Sequence, residues 1–219
     1  DDDSNESTLM KQLKSTSILG AGAAIAISLG SASAIGQVEV YNSTVTSLDQ
    51  SLSLSNEYGG TARLGGSDRS LVQFQFDYFA SADLAGTATV RLYEDGLDPA
   101  GAPGALIYTS PDITLVPNGN QVVTIANIGE VSITDVITWT VDFGGVTAGE
   151  AGLRLYDKTA MTIGEGFDDY WENVGGTWTL NSQATDNAVF GAVVSAVPEP
   201  GMIALLTLGA GVLFLRRRR

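Results

Sequence analysis

The chain has neither cysteine nor histidine in its 219 residues. Without them no disulfide, Ser-His-Asp triad, Cys-His dyad, His-ligated zinc or haem, or iron–sulfur cluster can be built. Positive charge is scarce: 11 Lys and Arg stand against 25 Asp and Glu, for a formal net charge of −14. Between residues 35 and 196 only Arg63, Arg69, Arg91, Arg154 and Lys158 oppose 20 acids, a net of −15. Such a surface repels nucleic acid and anionic lipid, and no basic patch exists to bind either. Lys158 is the only lysine in that span, and no S-x-x-K precedes it there, so a Ser-Lys nucleophile pair has no motif to rest on. Also missing, between Gln37 and Val194, is any 3.6-residue apolar periodicity longer than two turns.

What is present is concentrated first at the two ends. Val197-Pro198-Glu199-Pro200-Gly201 precedes an apolar run from Met202 through Leu206, Leu208 and Phe214 to Leu215, closed by Arg216, Arg217, Arg218 and Arg219. The prolines fix their own φ and push the residues before them toward extended backbone, so no helix runs through this point. Eight large apolar residues of the run contribute about −4 kcal/mol toward insertion, partly cancelled by Thr207, Gly209 and Gly211. As a helix the run is roughly 21 Å long, short of the roughly 30 Å hydrocarbon core, and it predicts a weak span seated by snorkelling arginines. A buried core helix is the other reading, but the run has no polar face. The arginines place the tail end on the cytoplasmic side and the rest of the chain outside.

The order of turn, short apolar segment and terminal cations resembles the PEP-CTERM sorting tail of bacterial exported proteins, and Pro198-Glu199-Pro200 matches its name-giving tripeptide. The resemblance covers residues 197–219 and implies no fold or activity for the rest. It implies export through the general secretion machinery and recognition of the tail by an exosortase, with transient anchoring in the inner membrane and final delivery to the cell surface or the extracellular space. It also implies company with extracellular polysaccharide and biofilm material.

The other end agrees. Met10 opens a segment with Lys11 and Lys14 in its n-region, an apolar stretch from Ile18 to Leu29, and an A-x-A site at Ala32-Ser33-Ala34. This predicts a signal peptide over 10–34 cleaved after Ala34. Residues 1–9 carry acids where a signal peptide wants cations, and they read as an upstream extension with Met10 the true start. Residues 35–196 then form one domain, long enough to bury a core and held by packing alone.

That domain reads as all-β. Val72, Phe74, Phe76 and Tyr78 alternate with polar residues, as do Ala88, Val90 and Leu92, and Ile137, Trp139, Val141 and Phe143. Leu153 with Leu155, and Val122 with Thr124, look like shorter versions. Leu48, Leu52 and Leu54 lean to strand, whereas Tyr58-Gly59-Gly60 through Gly65-Gly66-Ser67-Asp68 reads as loop. Turn signals include Pro117-Asn118-Gly119-Asn120, Gly144-Gly145 and Gly175-Gly176. Nine to eleven short strands with one wet face predict an antiparallel β-sandwich, jelly-roll-like, flanked by the signal helix and the C-terminal apolar helix.

Two clusters carry candidate chemistry. Glu94, Asp95 and Asp98 crowd a glycine-bearing loop, where Asp95 and Asp98 are candidate Ca²⁺ ligands, although the EF-hand order is missing. A solvated hairpin tip is the alternative, and no other cofactor is expected. Asp168, Asp169, Tyr170, Trp171, Glu172 and Trp178 form the densest polar–aromatic group. Tyr170, Trp171 and Trp178 could stack on sugar rings as a carbohydrate-binding face, or the tryptophans could close one end of the sandwich while the acids face water. Paired carboxylates also permit a glycoside hydrolase, a weaker reading because nothing marks which carboxyl is the acid. The expected function is a non-enzymatic surface or matrix protein, structural or adhesive.

Overall fold

The computed structural model describes residues 36–94 and 102–198. They form fourteen strands: β1 (Val38–Asn42), β2 (Ser47–Leu52), β3 (Glu57–Arg63), β4 (Ser70–Ala80), β5 (Ala85–Glu94), β6 (Leu106–Thr109), β7 (Ile113–Thr114), β8 (Gly119–Ser132), β9 (Val136–Ala148), β10 (Ala151–Asp157), β11 (Glu165–Val174), β12 (Thr177–Ser182), β13 (Ala188–Phe190) and β14 (Ala192–Val197). A single 3-10 turn, Lys158–Ala160, follows β10 and is capped by the Asp157 side chain accepting from the Thr159 N–H. No α-helix occurs among the described residues. The expected signal and tail helices lie outside them.

Every strand pairing is antiparallel, as the alternating patterns predict. Seven strands form one sheet in the order β1-β14-β4-β10-β13, with β2 on β10 and β8 on β4. The other seven run β12-β11-β3-β9-β5-β6, with β7 on β5. The chain passes repeatedly from one sheet to the other. Facing side chains meet between them: Phe74 lies 5.5 Å from Trp139, and Phe190 of the first sheet packs edge-on against Tyr58 and Trp139 of the second. The alternation read in β4, β5 and β9 delivers these rings to one interior, where Phe74, Phe76, Leu92, Ile137, Trp139 and Leu153 are buried.

Strands outnumber the expected nine to eleven because β6, β7 and β13 span only two to four residues, too few to show a period of two. Leu48 and Leu52 lie in the strand β2, as expected, whereas Leu54 falls just past its end. Tyr58-Gly59-Gly60 is not loop. It lies inside β3, paired on both sides by β9 and β11. A Cβ on Gly59 would meet the Trp139 carbonyl oxygen at 2.0 Å, so glycine serves close strand approach here and mimics a loop signal. Gly144-Gly145 is likewise no turn but an irregularity within β9, where its register against β5 shifts. Gly175-Gly176 is the tight turn it promised: both have positive φ, 61° and 89°, and they join Val174 to its partner Thr177.

Candidate functional site

The domain runs directly into the sorting tail. β14 lies between β1 and β4, with Ala196 opposite both Val38 and Leu71, and its last residue, Val197, opposite Ser70. Pro198 follows with no intervening loop, and its missing N–H ends the ladder there. Glu199, Pro200, Gly201, the apolar segment (Met202, Leu206, Leu208, Phe214, Leu215) and Arg216 to Arg219 lie outside the described residues. So do Ala32 and Ala34 of the cleavage site. Among the described residues no helix is long and apolar enough to cross a membrane.

The polar–aromatic cluster divides between two faces of β11, as alternation requires. Tyr170 points inward, with its ring 5.8 Å from Phe190. Trp171 points outward yet is only 1% exposed, so neither face of its indole is free, and its N–H finds no acceptor. Trp178, on β12, meets Tyr93 of β5 edge-on at 5.5 Å. The three rings therefore do not form one exposed platform.

The nearby acids are each engaged. Asp168 pairs with Lys158, and Asp169 accepts from Ser182. Glu172 accepts from Asn56 at 3.0 Å and Asn181 at 3.2 Å. Asp95 and Asp98 lie outside the described residues; their neighbour Glu94 closes β5, exchanging backbone bonds with Gly104 and Ala105. Among the described residues no group of three or more acids could hold a metal ion.

The densest polar constellation was not expected from the sequence. It sits on the outer face of the second sheet, around Glu57, which is buried. Arg91 approaches its carboxylate at 2.8 Å and also reaches Asp142 at 3.1 Å. Tyr93 donates to Glu57 at 2.8 Å, Thr140 at 2.6 Å and Asn173 at 3.3 Å. These residues come from β3, β5, β9 and β11, and on the first three strands they alternate with inward neighbours of the core, such as Tyr58, Leu92 and Val141. Burial opposes the Arg91 charge, but Glu57 and Asp142 outweigh it and hold the guanidinium above its ordinary pKa. Burial, then the Glu57 carboxylate, push the Tyr93 hydroxyl up. All partners are satisfied, so the cluster clamps strands and offers no free acid or base. A mid-strand Arg91 and Asp142 at outward positions were legible hints, but reading β3 as loop hid the acid between them.

One groove, of about 410 Å³, opens where the β2–β3 connection faces the end of β9, lined by Ser53, Leu54, Ser55, Phe143, Glu150 and Ala151. It offers a single carboxylate and two hydroxyls over an apolar floor, with no second titratable group to share a proton.

The family model of the PEP-CTERM protein-sorting motif matches residues 196–219. The chain carries that motif at its C-terminus, which marks an exported protein that an exosortase sorts at the membrane. No curated protein and no solved structure matches the chain.

Proposed function

We propose that this protein is a non-enzymatic, jelly-roll-like sandwich delivered to the cell surface or extracellular matrix, where it has a structural or adhesive role among biofilm material or exopolysaccharide. The observation that carries this reading is the junction at Val197, where a strand held on both sides gives way at once to the sorting motif. The passage of the chain between sheets supports the jelly-roll description. The engaged state of Asp168, Asp169 and Glu172 weighs against a glycoside hydrolase, whose two carboxyls must be free to act. Carbohydrate binding is a second reading, motivated by Trp178, which stays partly exposed at the strand edge. Polysaccharide pull-down that is unchanged by Trp178→Ala removes it.

Intact-mass measurement of the exported protein tests the first reading. Loss of mass from both ends is expected, the C-terminal loss beginning at or after Pro198 and disappearing in cells without exosortase. A secreted product that retains Arg219 in normal cells contradicts tail processing.

A further inference from the structure

Nearly every free strand edge in the two sheets carries a feature that discourages pairing with another chain. β1 has an irregularity between Glu39 and Tyr41, and β2 has an exposed Asp49 in left-handed backbone at φ 54°. β6, β7 and β13 are two to four residues long. β12 is bare but spans only six residues. β8 differs. It spans 14 residues and pairs only with β4 among the described residues. From Gly119 to Ala126 that ladder is unbroken, each residue opposite one of Ala80 to Gln73. Beyond Ala126 the backbone turns left-handed at Asn127 and Gly129, and the regular edge ends.

The same stretch is electrically silent. No Asp, Glu, Lys or Arg occurs from residue 113 to 129, in a domain that carries a net −15 over residues 35–196. Val122 is 58% exposed, and Thr124 and Ala126 are exposed beside it. A cationic partner would be drawn to the acidic remainder of the surface. Two copies of this chain repel one another over most of their area, and the uncharged edge is where they can approach. An antiparallel pair of identical strands about a twofold axis satisfies itself: residue i faces j, and j faces i.

We propose that Gly119–Ala126 of β8 is a self-association edge, pairing antiparallel with the same segment of a second copy and joining the two β8-bearing sheets into one. This goes beyond the sorting reading and does not depend on it.

The absence of cysteine makes the test clean, because one introduced cysteine is the only thiol. Cysteines placed singly at positions 120 to 126 of the exported chain, under mild oxidation, are expected to give disulfide-linked dimer at one position or two, nearest the axis, with little at Thr179→Cys on β12. Only there do Cβ atoms approach within the roughly 3.5–4.5 Å that the bond needs. Sedimentation of the cysteine-free chain is expected to show a dimer. Thr124→Lys sets like charges close across the axis and should weaken it at least about tenfold, with an unchanged circular dichroism spectrum. If that variant unfolds, Val122→Lys, 58% exposed near the middle of the segment, gives the same reading. A cysteine-free chain that sediments as monomer at all concentrations overturns the proposal. So do cross-linking that is equal at every position, and a dimer that the lysine does not weaken.

Discussion

Each sheet buries one carboxylate on its outer face, and the two are treated differently. Glu57, on the second sheet, is met by an arginine and three further donors, so both of its oxygens are satisfied. Asp77, on the first sheet, receives the Tyr156 hydroxyl on one oxygen, while the other is buried without a partner. The nearest cation, Arg154, donates instead to Tyr156 at 3.0 Å and to Ser47 at 2.6 Å. A buried charge is tolerable when its desolvation is offset by close, hydrogen-bonded partners, and a half-met one drifts toward its neutral form. The Glu57 site is therefore a clamp across four strands, whereas the Asp77 site is a weak point whose stability depends on pH.

The largest break in this comparison comes from removing the cation. Arg91→Met leaves Glu57 buried beside Asp142 with no counter-charge, and breaking a buried pair typically costs about 3–5 kcal/mol. Because Arg91 is a quarter exposed, the lower end of that range is expected. Urea unfolding measures it, and a loss below about 1 kcal/mol means that water screens the pair. A smaller effect is expected from Tyr93→Phe, which keeps the edge-on contact with Trp178 but removes one donor from Glu57. About 1–2 kcal/mol should be lost by the same measurement. Tyr156→Phe strips the one donor from Asp77, and equal losses from the two tyrosine variants would show that the sites do not differ as described.

How far the sequence disclosed this depends on where a residue's role is written. The period-two runs of β4, β5 and β9 announced the sandwich because burial on one face repeats every second residue. The turn at Gly175-Gly176 and the sorting motif were local signals, readable in a few residues. β3 was misread because Gly59 serves strand–strand approach, a need set by Trp139 some 80 positions away. The fate of Trp171 was equally non-local, since alternation along β11 sends it outward while the fold buries it. The Glu57 cluster draws on four strands far apart in the chain, and no spacing encodes that.

The smallest expected effect is the most diagnostic of the second site. Burial, the largest influence on Asp77, raises its pKa above the ordinary 3.8, and the Tyr156 bond, the Arg154 charge and the Gln75 side chain only partly oppose it. The folded protein therefore keeps this proton to a higher pH than the unfolded chain does. Below 3.8 both states are protonated and nothing is lost. As pH rises from there through the raised native value, the unfolded chain ionises first, and this site's contribution falls. Asp77→Asn keeps an oxygen for Tyr156 and cannot ionise, so its stability relative to the parent should improve with rising pH across that window, by about 1 kcal/mol. Urea midpoints measured in steps from pH 3.5 to 7 provide the check. Parallel profiles for the two proteins would mean that Asp77 is as well satisfied as Glu57, and the contrast between the two faces would be lost.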